Sequence, residues 1–430
     1  MKEEFKLMNL KGTTDFLPEE QIIRNNIVDV LKKTFESYGF LPIETPVLCY
    51  YDLLASKYAG GAEILKEVYK LTDQGKREIG LRYDLTVPFS KVIGMNKGLI
   101  LPFKRYEIGK VFRDGPVKLG RAREFYQCDV DACGTESPYA EVEYFMMMKE
   151  VFEKLNIDVE IRYNNRKFLS GLLEYAGVSK DNIPAFIISV DKLDKISKED
   201  IKKELVSHTD EKIVDKVFDL FNKNLEELNK ILVNNLNENL ETGLKELNEL
   251  NKLITDIGLN KVCKFTPFLA RGLEIYTGVV WEVFDSTLQF KSALGGGGRY
   301  DKIITNFLND GNVYPAIGCS FGLEPIYEIL KERQMNLLKK YDVYVYEFNN
   351  DYNLFKISDL LRKNGYKVLT ELNNIKLKKA MNIANREKID KVIIIGEDEL
   401  KNNSVTIKNM ETGNQEVVKI DDILKRINEI

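Results

Sequence analysis

Histidine is nearly missing from this sequence: one, His208, stands in a Lys/Glu-rich stretch of 430 residues. The count excludes multi-histidine metal chemistry within one chain, and the setting of His208 excludes Ser-His-Asp and Cys-His catalysis. Chemistry must fall to carboxylates, arginines, backbone groups and bound ions. Cysteines are also few: Cys49, Cys128, Cys133, Cys263 and Cys319 show no CxxC spacing. An odd, scattered set reads as reduced thiols in a cytoplasmic protein. No run approaches the roughly 18 consecutive apolar residues of a membrane span. Residues 1–12 are charged and carry no apolar signal core, so no membrane partner is expected. A net charge of −4, from 63 Lys+Arg and 67 Asp+Glu, excludes binding driven by overall positive charge and leaves a local basic face open.

What is present suffices for sizeable cores. The chain is 44% hydrophobic and 30% charged, which rules out global disorder. At about 150 residues per domain, two to four domains are expected. Composition divides the chain into regions. Residues 1–165 and 261–330 mix glycine, aromatics and charges, while 166–260 turn rich in Lys, Glu, Asn and Leu. There Leu225, Leu228, Leu232, Leu236, Leu240, Leu244 and Leu247 keep helical spacing, and no proline interrupts 191–260. This predicts an all-helical insertion. Residues 340–430 alternate strand and helix patterns, which predicts a separate α/β domain with a mostly parallel sheet.

Within the first region, Ile23, Ile27, Val30, Leu31 and Phe35 recur at helical spacing, and Gly39 stops the helix. Residues 40–50 read as one strand, with Pro42 and Pro46 marking an edge or an interface. Residues 103–112 and 122–133 read as an antiparallel hairpin around a polar loop holding Arg113, Lys118 and Arg121. In its second strand Arg123, Phe125, Gln127, Asp129 and Asp131 share one face. A cation, a ring, an amide and two acids make a poor core face and a good polar pocket. The arginine suits phosphate, the ring a base, the acids an ammonium or N–H donor. Arg113, at the base of the loop, suits phosphate for the same reason.

Three further segments are suggestive. In Leu81-Arg82-Tyr83-Asp84-Leu85-Thr86-Val87-Pro88, Asp84 and Thr86 would share a strand face and accept from an ammonium; a polar strand end capping a turn reads equally well. In Arg271-Gly272-Leu273-Glu274-Ile275-Tyr276, a bend at Gly272 could reunite Arg271 with Tyr276. Leu294-Gly295-Gly296-Gly297-Gly298-Arg299-Tyr300-Asp301 reads as a glycine turn or a close backbone approach to a ligand. It matches neither GxGxxG nor GxxxxGK[ST]. Finally, residues 316–331 read as strand, glycine turn and helix, with Pro325 in the first helical turn.

Taken in order, these segments resemble the class II aminoacyl-tRNA synthetases, and within them the histidyl-tRNA synthetase family. Lys11 to Pro18 and the unit ending at Pro46 look like motif 1, the dimer interface. Phe112-Arg113 through Gly120-Arg121-Ala122-Arg123-Glu124-Phe125 looks like motif 2, and Gly318 to Glu324 like motif 3. Arg271 to Tyr276 and Gly297-Gly298-Arg299-Tyr300-Asp301 point to the histidine family. The last 90 or so residues look like its anticodon-binding domain.

The resemblance implies an α+β catalytic domain with an antiparallel sheet, a helical insertion and a C-terminal anticodon-binding α/β domain. It implies a cytoplasmic homodimeric enzyme that takes ATP, L-histidine and tRNA(His), uses Mg²⁺ with ATP, and holds no organic cofactor tightly. It assigns Arg113 and Arg271 to the α-phosphate as the catalytic pair. Arg123 and Phe125 join them at ATP, with Phe125 stacking adenine. Asp84, Thr86 and Gln127 would hold the α-ammonium, and Asp131, Tyr276 and Tyr300 the imidazole. Lys118 and Arg121 would meet the tRNA acceptor end. Three positions depart from the family pattern: Pro325 replaces the motif 3 arginine, Gly115 an acid of motif 2, and Ile275 a common tyrosine. The alternative is a histidine-binding paralogue like the regulatory subunit of ATP phosphoribosyltransferase. Pro325 favours it; the C-terminal domain and the retained Arg113, Arg271 and Gln127 favour the enzyme.

Overall fold

A computed structural model describes residues 7–56, 65–117, 122–193, 196–233, 236–271, 275–287, 290–334, 339–348 and 352–430. Two compact units divide the chain, residues 1–332 and 333–430.

The first unit opens on helix α1 (Pro18–Ser37), which buries Ile23, Ile27, Leu31 and Phe35, the stripe its spacing predicts. Pro46 interrupts the strand expected over 40–50. Two short strands result, β1 (Leu41–Pro42) and β2 (Leu48–Tyr50), and they join different sheets. Helix α2 (Tyr51–Ser56) and strands β3 (Lys70–Thr72) and β4 (Glu78–Leu81) follow, with β2, β4 and β3 forming a small antiparallel sheet. Helix α3 (Thr86–Met95) leads to the hairpin of β5 (Phe103–Phe112) and β6 (Glu124–Cys133). Helix α4 (Tyr139–Lys154) and strand β7 (Val159–Asn165) close this half.

The inserted segment is helical as its leucines require: α5 (Arg166–Ala176), α6 (Ile183–Val190), α7 (Lys198–Val206), α8 (Glu211–Phe221), α9 (Leu225–Leu232) and α10 (Glu238–Asp256). Helices α5 and α10 cross backbone to backbone. A Cβ at Gly243 would fall 2.2 Å from the Phe168 nitrogen, so only glycine permits that approach. Asn165 caps α5 by accepting from the Lys167 and Phe168 amides.

Strands β8 (Cys263–Phe265), β9 (Val279–Asp285) and β10 (Gly295–Arg299), helix α11 (Asp301–Leu308), strand β11 (Ala316–Gly322) and helix α12 (Leu323–Gln334) complete the unit. Among the described residues its large sheet has the order β1-β5-β6-β11-β10-β9-β7-β8, antiparallel except at the two edge pairs. Of the two readings of the glycine run, a turn or a close backbone approach, the turn is excluded: the run is a central strand, β10. Its glycines take extended backbone and are paired on both sides. Apolar side chains such as Tyr144, Phe145 and Trp281 pack under the sheet. Each cysteine is buried, and none forms a disulfide among the described residues.

The second unit has β12 (Val343–Glu347), α13 (Tyr352–Lys363), β13 (Val368–Thr370), α14 (Leu377–Arg386), β14 (Lys391–Ile395), α15 (Glu397–Lys401), β15 (Ser404–Asn409), β16 (Gln415–Lys419) and α16 (Ile423–Arg426). Strands β13, β12 and β14 are parallel, and β15 and β16 add on antiparallel. Each face has its own apolar core, one around Val343, Leu354 and Ile393, the other around Tyr344, Tyr346 and Ala380.

Candidate active site

Alternation along paired strands gathers polar side chains on one face of the large sheet. Asp131 of β6 stands between Arg105 of β5 and Gly318 of β11, and Gly318 is paired in turn with Gly298 of β10. The neighbouring row runs Glu107, Asp129, Ser320, Gly296 and Glu282. A third row sets Gln127 between Gly109 and Gly322. Glycines leave the floor low enough for other side chains to cross it. A Cβ at Gly298 would lie 2.7 Å from the Tyr276 ring, and one at Gly296 would lie 2.6 Å from Arg271 Nη1.

Asp131 is held on both oxygens. Tyr300 donates its hydroxyl to Oδ1 at 2.5 Å, and Arg105 Nη2 lies 2.8 Å from Oδ2. Arg105 is fully buried, donates also to the Leu85 carbonyl at 3.1 Å, and stands 4.5 Å from the Phe89 ring centre. A buried cation beside a buried acid offsets the desolvation of both. Burial raises the phenols of Tyr300 and Tyr276, and Asp131 adds to the rise at Tyr300. Both therefore keep their O–H at neutral pH. Asp129 differs: burial first, then repulsion from Asp131, pushes its carboxyl up to about 7, against the pull of Arg105 and a hydrogen bond from Ser320.

Asp84 and Thr86 do not share a strand face. Strand β4 ends at Leu81 and Thr86 opens α3. Asp84 Oδ1 instead accepts the amides of Thr86 at 3.1 Å and Val87 at 3.0 Å. Pro88 in the first turn starts a helix there rather than ending a strand. The pair is still brought together, by the turn instead of by parity.

At the other end of β6, the Arg113 guanidinium lies 4.8 Å from the Phe125 ring centre and 4.3 Å from that of Tyr83. Its Nε donates to the Tyr83 carbonyl at 3.4 Å. Arg123 reaches Asp114 at 3.4 Å. Lys118 and Arg121 lie outside the described residues, as does Gly272. Arg271 and Tyr276 are reunited as anticipated, guanidinium to ring centre 5.3 Å. Arg271 Nε stands 3.7 Å from Glu282 Oε1, and its Nη1 is buried with no hydrogen-bond acceptor among the described residues. A buried guanidinium N–H without an acceptor is a place prepared for an anion.

Where motif 3 departs, Pro325 is the third residue of α12, where a backbone N–H has no partner within the helix. Glu324 before it is taken by Arg24, whose nitrogens approach its two oxygens at 2.5 and 2.9 Å. Arg24 also stacks over Phe16 at 3.8 Å.

One residue of this face, Arg105, has no expectation from the sequence, and another, Asp129, has only a shared one. Arg105 shares inward parity with Asp131 across the hairpin, and a charge at such a position was the available signal. Asp129 is expected on the pocket face as one of two acids for an ammonium or N–H donor, with no role that separates it from Asp131.

A family model described as histidyl-tRNA synthetase matches residues 12–326, and one described as an anticodon binding domain matches 342–430. Histidine–tRNA ligase 1 of Bacillus cereus is 44% identical over 424 residues, covering 97% of this chain and 99% of that protein. Histidine–tRNA ligase of Finegoldia magna is 34% identical over 433 residues, covering 97% and 98%. Among solved structures, histidyl-tRNA synthetase from Nostoc sp. PCC 7120 has a TM-score of 0.86 at 28% identity, covering 99% of this chain and 100% of that one. A Bacillus halodurans protein, described as an ATP phosphoribosyltransferase regulatory subunit/histidyl-tRNA synthetase, has a TM-score of 0.77 at 20% identity. It covers 92% and 100% and shares the fold.

Proposed function

The chain belongs to the histidyl-tRNA synthetase family, and from that we propose how its residues divide the work of joining histidine to tRNA. It is a class II ligase that activates L-histidine with ATP and transfers it to tRNA. In the first step the histidine carboxylate attacks the α-phosphorus and pyrophosphate leaves. In the second a ribose hydroxyl at the tRNA 3′ end attacks the acyl carbon and AMP leaves.

The first step brings two anions together, and no side-chain nucleophile is needed. Arg113 and Arg271 offset the repulsion at the α-phosphate, and fixed cations do so without reorganising during the reaction. The single observation that carries this is the acceptor-free Nη1 of Arg271, buried over Gly296. Phe125, half-buried beside Arg113, stacks adenine, and Arg123 adds positive charge at the nucleotide. Asp131 accepts an imidazole N–H, with Tyr276 and Tyr300 beside it. An apolar substrate would leave that acid unmatched, which is a strong basis for rejection. Asp84, Thr86 and Gln127 take the α-ammonium. Lys118 and Arg121 meet the tRNA acceptor end.

Mg²⁺ arrives on the ATP phosphates, in keeping with its preference for phosphate and water ligands. Among the described residues no group of three or more His, Cys, Asp or Glu could hold a metal ion. A homodimer is supported by apolar side chains left exposed near β1 and β2: Leu41, Leu48, Tyr50 and Leu71. Among the described residues no helix is long and apolar enough to cross a membrane; a cytoplasmic location is proposed from the free thiols.

The test is pyrophosphate exchange into ATP with each amino acid in turn, followed by charging of tRNA(His). Exchange with histidine alone is expected. Exchange indifferent to the amino acid would refute the pocket assignment, and histidine binding without exchange would favour the regulatory reading that Pro325 raises.

A further inference from the structure

We infer that Asp129 is a positioning residue for histidine, fixing the Gln127 amide so that its carbonyl oxygen faces the substrate's ammonium group. The inference rests on the proposed role of Gln127.

Gln127 stands at the centre of its row between Gly109 and Gly322. Neither strand partner supplies a side chain to hold the amide. The group that could have filled the space over Gly109, Arg82, is already committed to Glu107 at 2.8 Å and to the Thr45 and Lys110 carbonyls. Gln127 finds its fixed point two residues along the same strand. Its Nε2 donates to Asp129 Oδ1 at 3.4 Å, and its Oε1 is buried without a donor among the described residues.

Above about pH 7, where its buried carboxyl ionises, Asp129 accepts only, so it can meet the NH₂ end of the amide and never the carbonyl end. Asp129 thus selects one of the two amide orientations. The selected one leaves a buried carbonyl oxygen short of a donor, and an ammonium group is a donor of the right charge. Flipped, the amide would turn two donors toward the ammonium and set its oxygen against a carboxylate. Asp129 is itself buried, 5% exposed, and anchored across the ladder beside Ser320. It need not touch the substrate to do this.

The experiment is a double-mutant cycle in the full-length enzyme at pH 8, where Asp129 is ionised, read as KM for histidine and kcat in pyrophosphate exchange, with KM for ATP as control. Asp129→Ala is expected to raise KM for histidine about 10-fold, the scale of one hydrogen bond to a charged group. Gln127→Ala should raise it at least as far. The double variant should be no worse than Gln127→Ala alone, because Asp129 acts through the amide. Asp129→Asn, which keeps a carbonyl acceptor, should lie between wild type and Asp129→Ala. A polarity exchange covers the case of an unfolded alanine variant: Gln127→Glu should weaken histidine binding by setting two acids together, and adding Asp129→Asn should restore it. If Gln127→Ala leaves KM for histidine unchanged, the ammonium role of Gln127 fails. If Gln127→Ala raises it while Asp129→Ala does not, or the two effects multiply, the positioning role alone is overturned. Failure of the polarity exchange to restore binding overturns it too.

Discussion

Gly318 and Asp131 face each other across the β6–β11 ladder so closely that a methyl group on Gly318 would fall 1.9 Å from Asp131 Oδ1. That oxygen also accepts the Tyr300 hydroxyl. Gly318→Ala must therefore push the carboxylate, the phenol, or both. A displacement near 1 Å at a recognition group costs on the order of 10²-fold in rate. Histidine-dependent exchange is expected to fall by about that factor. Wild-type exchange in a folded Gly318→Ala protein would mean that Asp131 does not read the imidazole.

Tyr300→Phe removes the donor to Asp131 Oδ1 and adds no bulk. The acid stays buried beside Arg105 and loses that hydrogen bond. A hydrogen bond to a charged group contributes about 1.5–3 kcal/mol, so KM for histidine should rise by roughly 10- to 100-fold. KM for ATP should stay put. Equal losses in both constants would point to general disorder of the site.

Much of this face was legible from spacing. The odd-numbered residues of β6 make a polar face because strand side chains alternate, and the ladders keep that face. Helix α1 and the leucine-spaced insertion followed from periodicity. Other features turned on contacts between segments distant in sequence. For the glycines of β10 a turn is one of two readings, because glycine favours turns locally. Pairing with β9 and β11 overrode that preference, and the reason for the glycines, room for Arg271 and Tyr276, lies about 20 residues upstream. Asp84 and Thr86 shifted from strand to helix start through the turn chemistry of Asp84 and Pro88. The pairing of Arg24 with Glu324 spans 300 residues, beyond any local pattern.

Ionised Asp129 should make the folded protein less stable, not more. Its carboxyl is raised to about 7 by burial and by Asp131, while an unfolded aspartate titrates near about 3.9. Between those values the folded state binds the extra proton, so stability falls as pH rises through that window. Asp129→Asn removes the cost. Its melting temperature should exceed wild type at pH 8 and match it near pH 4. A gap of the opposite sign, or one independent of pH, would contradict the raised carboxyl. A stability gain together with weaker histidine binding would mark a residue kept for function.

The C-terminal unit offers a test of division of labour. It has its own cores and matches an anticodon binding domain. Deleting residues 340–430 should raise KM for tRNA in charging and spare pyrophosphate exchange, which needs only histidine and ATP. Charging kinetics unchanged by the deletion would exclude this unit from tRNA recognition.

Arg271 is where the electrostatic account is most exposed to refutation. Among the described residues its Nη1 is buried without an acceptor, and Glu282, 3.7 Å from Nε, is too distant for a hydrogen bond. Among the described residues nothing therefore requires the charge as strongly as the developing adenylate does. Arg271→Ala should lower kcat for exchange on the order of 10²-fold, the scale of losing one charge-stabilising donor. Its effect on the melting temperature should be small by comparison. Arg271→Lys keeps the charge but loses the planar fork, so it should recover only part of the rate. If the alanine variant instead exchanged at nearly the wild-type rate, the α-phosphate would have to be held by Arg113 and the backbone without it.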